Sequence, residues 1–127
     1  MNYSGKGVSN IAQEKQFENR VKRYLMEQGI YNLGTSTSKM KIPPVGYYTK
    51  RWGGSIFTAS GLPDMQIVIK GKCLELELKA PNGKPSELQI QKINQINESG
   101  GTGLILYPKD FDTFKILVER MIAGGKG

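Results

Sequence analysis

Between Asn10 and Gln28, the apolar residues Phe17, Val21, Tyr24 and Leu25 recur at helical spacing, and Gly29 supplies a stop. The pattern predicts a first helix that carries Glu14 and Glu18 beside its apolar stripe, at the margin of the core it covers. Ile30 to about Ser36 reads as a short strand. Met65 to Ile69 and Cys73 to Lys79 then read as two strands of a hairpin around a Lys70-Gly71-Lys72 turn. In the second of these, Leu74, Leu76 and Leu78 alternate with Glu75, Glu77 and Lys79, so the leucines claim the core and the charged side chains the other face. Ser86 is placed to cap a helix whose apolar positions are Leu88, Ile90, Ile93 and Ile96 and which ends before Gly100-Gly101. Gly103 to Tyr107 predicts a buried strand closed by Pro108, and Asp110 to about Ala123 a last amphipathic helix. The order αβββαβα predicts an α/β fold, a mixed β-sheet flanked by helices, with one helical crossover.

Two stretches carry no such period. Residues 1–9 and 124–127 read as flexible tails. Residues 37–63 interleave Pro43, Pro44, Gly46, Gly53, Gly54, Gly61 and Pro63 with Tyr47, Tyr48, Lys50, Arg51, Trp52 and Phe57. Two readings of this segment stand level: a hairpin whose aromatics only pack, or a basic-aromatic surface for nucleic acid or a second subunit.

With 127 residues, 38% of them hydrophobic, the chain suits one domain, residues 1–127, with one core. No apolar run reaches membrane-spanning length and the N-terminus lacks the apolar core of a secretory signal, so a cytoplasmic location, in a bacterium or a phage-infected host cell, and no membrane partner are expected. One cysteine and no histidine exclude an intrachain disulfide, a Cys/His zinc site and any histidine-based triad or general base. Cys73 is expected to pack as a small hydrophobe. Eighteen Lys and Arg against eleven Asp and Glu give a charge of +7, which favours a polyanionic partner, though a basic solubilising surface has the same balance.

Chemistry is therefore left to carboxylates, lysines, hydroxyls and a hard cation. Glu77 and Lys79 project together from one face, and the hairpin brings Asp64, at the start of the preceding strand, toward them. Two carboxylates at close range resist ionising together unless a cation lies between them, and an all-oxygen donor set selects Mg2+ or Mn2+. Each residue also has a plain role: Asp64 as a turn cap after Pro63, Glu77 and Lys79 as a solvated strand face, Glu14 and Glu18 as acids favoured in the N-terminal half of a helix. Gly83-Lys84-Pro85-Ser86 lacks the upstream glycine of a phosphate loop, and Leu78 stands in its place.

Gly61-Leu62-Pro63-Asp64, followed after residues 65–76 by Glu77-Leu78-Lys79, resembles the PD-(D/E)XK signature of restriction-endonuclease-like nucleases. The run ELKAPNGKPSELQ and the preceding EKQFENRVKRYLMEQG further resemble the VRR-Nuc (virus-type replication-repair nuclease) family, from about Glu14 to the last helix. The resemblance implies a restriction-endonuclease-like sheet. It implies Asp64 and Glu77 as metal ligands with the Leu78 carbonyl, and Lys79 positioning the attacking water. Glu18 would add a helix carboxylate, with Glu14 in competition for that role, and Gln89 would stand at the rim near phosphate or water. The implied activity is a metal-dependent, structure-specific DNA endonuclease that resolves four-way (Holliday) junctions as a homodimer, through Mg2+ or Mn2+. A monomeric nickase or flap endonuclease and a noncatalytic DNA-binding module are the rival expectations. A carboxylate-pair glycosidase is disfavoured by the basic balance and the lysine beside Glu77.

Overall fold

The computed structural model describes residues 6–51 and 61–124. Trp52 and Phe57, and the outermost residues of both expected tails, lie outside the described residues. The element order is α1 (Lys6–Glu27), β1 (Ile30–Asn32), a 3-10 turn (Thr37–Lys39), β2 (Gly46–Lys50), β3 (Met65–Ile69), β4 (Lys72–Leu78), α2 (Glu87–Glu98), β5 (Thr102–Leu106), a second 3-10 turn (Pro108–Asp110) and α3 (Phe111–Ile122). The five strands form one mixed sheet in the order β1-β2-β3-β4-β5, flanked by the three helices. The outer pairs β1/β2 and β4/β5 are parallel and the inner pairs β2/β3 and β3/β4 antiparallel.

The α/β class and the mixed sheet agree with the sequence pattern; the expected order αβββαβα lacks one strand. β2 lies within the segment that shows no period, paired along its length with β3 and parallel to β1. Only Gly46 and Tyr48 of its five residues are buried, and Gly46 contributes no side chain, so the alternation leaves almost no signal. The first strand is shorter than expected and α1 begins before Asn10, at Lys6.

One face of the sheet holds the core. Ile30, Tyr48, Met65, Ile67, Ile69, Leu74, Leu76, Leu78 and Leu106 meet Phe17, Val21, Tyr24 and Leu25 of α1 and Phe111, Phe114, Val118 and Met121 of α3 in one cluster. Phe17 and Phe111 join the two helices edge to face, with ring centroids 5.6 Å apart. The Lys70-Gly71 turn reverses the chain with both residues at positive φ, the form whose twist suits a two-residue hairpin, and sets Met65 opposite Leu76. α2 closes the other face of the crossover: Ile93 and Ile96 lie against Gly103, while the Asn97 amide bonds both the N–H and the carbonyl of Gly103 at 2.8 and 3.1 Å.

This two-faced sheet makes truncation strongly position-dependent. Leu76→Ala, on the fully buried face, is expected to cost about 2–5 kcal/mol in urea unfolding. Val68→Ala, 40% exposed on the opposite face, is expected to cost less than about 1 kcal/mol.

Candidate functional site

β3 and β4 end together, and the acids meet there. Because Met65 is opposite Leu76, the register carried one step further sets Asp64 against Glu77. Asp64 Oδ2 accepts the Leu78 N–H at 2.8 Å, so the carboxylate continues the hydrogen-bonding of the hairpin where the β3 backbone leaves it. Glu77 is 2% exposed. Its Oε2 accepts from Gln89 Nε2 at 2.8 Å and faces Lys79 Nζ at 3.4 Å, while its Oε1 is buried without a hydrogen-bond partner. Burial, and next the Asp64 charge, push the Glu77 carboxyl up to about 7 against the opposing pull of Lys79.

Gln89 owes its aim to the start of α2. Ser86 Oγ accepts the Gln89 N–H at 3.1 Å and Gln89 Oε1 accepts the Ser86 N–H at 2.9 Å, a complete capping box. With its oxygen committed to the cap, the Gln89 amide presents Nε2 to Glu77. Upstream of Asp64, Gly61 carries a positive φ, and a Cβ there would lie 2.8 Å from the Leu88 Cβ, so α2 packs tightly on the turn that leads to Pro63 and Asp64.

The two helix acids separate clearly. Glu18 is 4% exposed and faces the Nζ atoms of Lys22, Lys50 and Lys15 at 2.7, 2.8 and 3.5 Å. Burial raises its pKa, but hydrogen bonds from Lys22 and Lys50 outweigh that and hold it near 2. Glu14, one turn earlier, is the helix acid on which Asp64 acts: burial first and then the Asp64 charge raise it, while Lys79 and Lys50 draw it down. It lines a cleft of about 300 Å3 with Asn10, Lys15, Glu18, Lys50 and Gly83. The cleft's far wall is fixed by Tyr107, whose hydroxyl donates to the Gly83 carbonyl at 2.9 Å.

The structure thus brings Asp64, Glu77, Leu78, Lys79 and Gln89 together and gives Glu18 to a lysine cluster. Of the two helix acids, Glu14 is the one on which the Asp64 and Lys79 charges act. Helical periodicity places both acids at one margin and does not tell them apart; the lysine on β2 that captures Glu18 belongs to the strand that the pattern hides.

Four further residues of the irregular segment and the hairpin take definite places, and one of them, Cys73, departs from its expectation. Tyr48 is a core residue, and Tyr47 is partly buried on the opposite face. Cys73 is exposed rather than packed, and partial desolvation together with the Glu75 charge pushes its thiol up, away from a reactive thiolate. Glu75 is buried and accepts from Arg51 Nη1 and Nη2, at 2.6 and 3.2 Å, and from Gln66 Nε2 at 2.9 Å.

Among the described residues, no group of three or more Asp, Glu, Cys or His side chains is placed to hold a metal ion. The donor set nevertheless suits a hard cation: two adjoining carboxylates, one of them with a buried oxygen that nothing satisfies. The chain has no match among family models, curated proteins or solved structures.

Glu77 and Glu18 have opposite effects on stability. Glu77 has a folded pKa above its unfolded value of 4.5, so its contribution is complete below about pH 4.5 and is lost as pH rises through about 7. Glu77→Gln is therefore expected to melt several degrees higher than the wild type at pH 8 without metal, the gap shrinking toward pH 5, as read by calorimetry. Glu18 is depressed from 4.5 to about 2, so its contribution is complete above 4.5 and is lost as pH falls through 2. Glu18→Gln is expected to lose on the order of 2 kcal/mol at pH 7 in urea unfolding, and progressively less in acid.

Proposed function

We propose that this chain is a metal-dependent DNA endonuclease of the VRR-Nuc type, which hydrolyses phosphodiester bonds in branched DNA. The observation that carries the reading is the Asp64–Glu77 pair, with an unsatisfied buried oxygen on Glu77 and Lys79 Nζ 3.4 Å from its other oxygen. A structural ion pair would leave no carboxylate oxygen orphaned inside the fold and would not set a second acid against it.

Asp64, Glu77 and the Leu78 carbonyl would hold Mg2+ or Mn2+, with Glu14 as the carboxylate from α1 in preference to Glu18. When bound, such an ion lowers the pKa of water and stabilises negative charge on a phosphate. The remaining work belongs to the chain. Gln89 fixes the orientation of Glu77. Lys79, 13% exposed at its side chain, orients the attacking water and offsets charge that grows on the phosphate oxygens. Around Glu18, three lysines leave an excess of positive charge beside the cleft, which suits the neighbouring phosphates of a nucleic-acid strand. The net charge of +7 adds affinity that falls steeply with salt.

One chain supplies one such site, and cutting two strands of a four-way junction in step takes two, so a two-fold homodimer on Holliday junctions is the preferred form of the proposal. A monomer that nicks or trims flaps uses the same chemistry and differs in substrate.

The test is cleavage of labelled four-way junctions, flaps and duplex in Mg2+, Mn2+, Ca2+ or chelator, with gel filtration for oligomeric state. Cleavage is expected in Mg2+ or Mn2+ only, with Ca2+ supporting binding without cutting. Lys79→Ala and Glu77→Ala are expected to bind junctions within about threefold of the wild type and to cleave at least about 100-fold more slowly. Wild-type rates from Lys79→Ala would remove the lysine from the mechanism; absence of metal-dependent cleavage on every substrate would leave a DNA-binding module. A second comparison separates the helix acids: Glu14→Gln is expected to lose about 100-fold in rate with its melting temperature kept, and Glu18→Gln to lose mainly stability.

A further inference from the structure

We infer that Arg51 and Glu75 are positioning residues that clamp the Pro63–Asp64 segment and thereby set the Asp64 carboxylate against Glu77; the inference rests on the nuclease reading of that pair. The geometry is specific. Arg51 is the first residue after β2, and its backbone N–H donates to the Asp64 carbonyl at 2.6 Å. Its guanidinium reaches across β3 to Glu75 on β4 in a two-pronged contact, Nη1 to Oε1 at 2.6 Å and Nη2 to Oε2 at 3.2 Å. The same Nη1 also donates to the Pro63 carbonyl at 3.0 Å. One arginine therefore holds both residues of the Pro-Asp pair, by its backbone at Asp64 and by its side chain at Pro63.

Glu75 is in turn fixed by Gln66 Nε2 at 2.9 Å, and it lies opposite Gln66 in the hairpin register. The clamp spans β2, β3 and β4 on the face away from the main core. It fastens the chain between Gly61 and β3, where the Asp64 side chain is held toward β4 by its bond from the Leu78 N–H and the Asp64 backbone by the Arg51 N–H. A solvated surface pair would tolerate exchange of Arg for Lys, whereas a fork that serves two acceptors on different strands does not. The bidentate contact further fixes the guanidinium plane, so the third bond, to Pro63, is made at no extra cost in side-chain ordering.

The test uses Arg51→Met/Glu75→Leu, which removes both charges together and leaves no buried ion unpaired, alongside Arg51→Lys. The direct readout needs no metal: hydrogen exchange of the Leu78 amide, the group that Asp64 accepts from. In the double variant this amide is expected to exchange at least tenfold faster while the Leu74 and Leu76 amides keep native rates. Mn2+ affinity by calorimetry should fall at least tenfold, and kcat on a cleaved substrate should drop with KM for DNA unchanged. Unchanged Leu78 exchange in the double variant overturns the inference, whatever happens to the metal. Faster Leu78 exchange together with a wild type that neither binds Mn2+ nor cleaves upholds the clamp and refutes the nuclease reading. If the double variant loosens the whole of β4, Arg51→Lys decides: a tenfold gain in Leu78 exchange alone upholds the clamp, and native exchange overturns it.

Discussion

The site depends on holding a buried glutamate beside a second acid. Asp64 and Glu77 face each other at the ends of paired strands, and Glu77 is buried with one oxygen satisfied and one not. Left to itself such a pair would separate or take up a proton. The fold prevents separation from three sides: the tight hairpin fixes the register, the Leu78 N–H holds Asp64, and the capped α2 holds Glu77 through Gln89. The cost is local instability that the apolar face beneath, with Leu74, Leu76 and Leu78 almost fully inaccessible, is well placed to offset. A buried acid retained with one oxygen unsatisfied is a common mark of function over stability.

The same strand therefore performs two tasks. Its inward residues anchor the sheet to α1 and α3, and its outward residues bear the charges. Glu75 and Glu77 share parity, yet their environments diverge: Glu75 finds a complete set of donors in Arg51 and Gln66, while Glu77 meets another acid and a single amide beside one lysine. A similar division holds on α1, where Glu18 is neutralised by lysines and Glu14 is left to the hairpin. In each case the acid with the larger set of cationic or amide donors supports the frame.

Much of this was legible from residue order. Period-two and helical patterning located the hairpin, α2, β5 and α3, and the Pro-Asp with Glu-x-Lys spacing picked out residues that the structure places together. The omissions have one physical origin. β2 is five residues long and begins at a glycine, and its Tyr-Tyr-Thr run does not alternate apolar with polar, so no period marks it; Lys50 ends the strand and Arg51 follows it. Yet those two side chains decide which helix acid is occupied and what holds Asp64. Contacts between residues distant in sequence are invisible to periodicity, and both lie on that strand's account.

The most direct measurement is an anomalous diffraction map of crystals soaked in Mn2+. The account predicts a single strong peak between the Asp64 and Glu77 carboxylates, at metal–oxygen distances of about 2.0–2.3 Å, with Glu14 facing it. A fully soaked crystal with no peak there, or with its only peak at Glu18 or elsewhere on the surface, would contradict it.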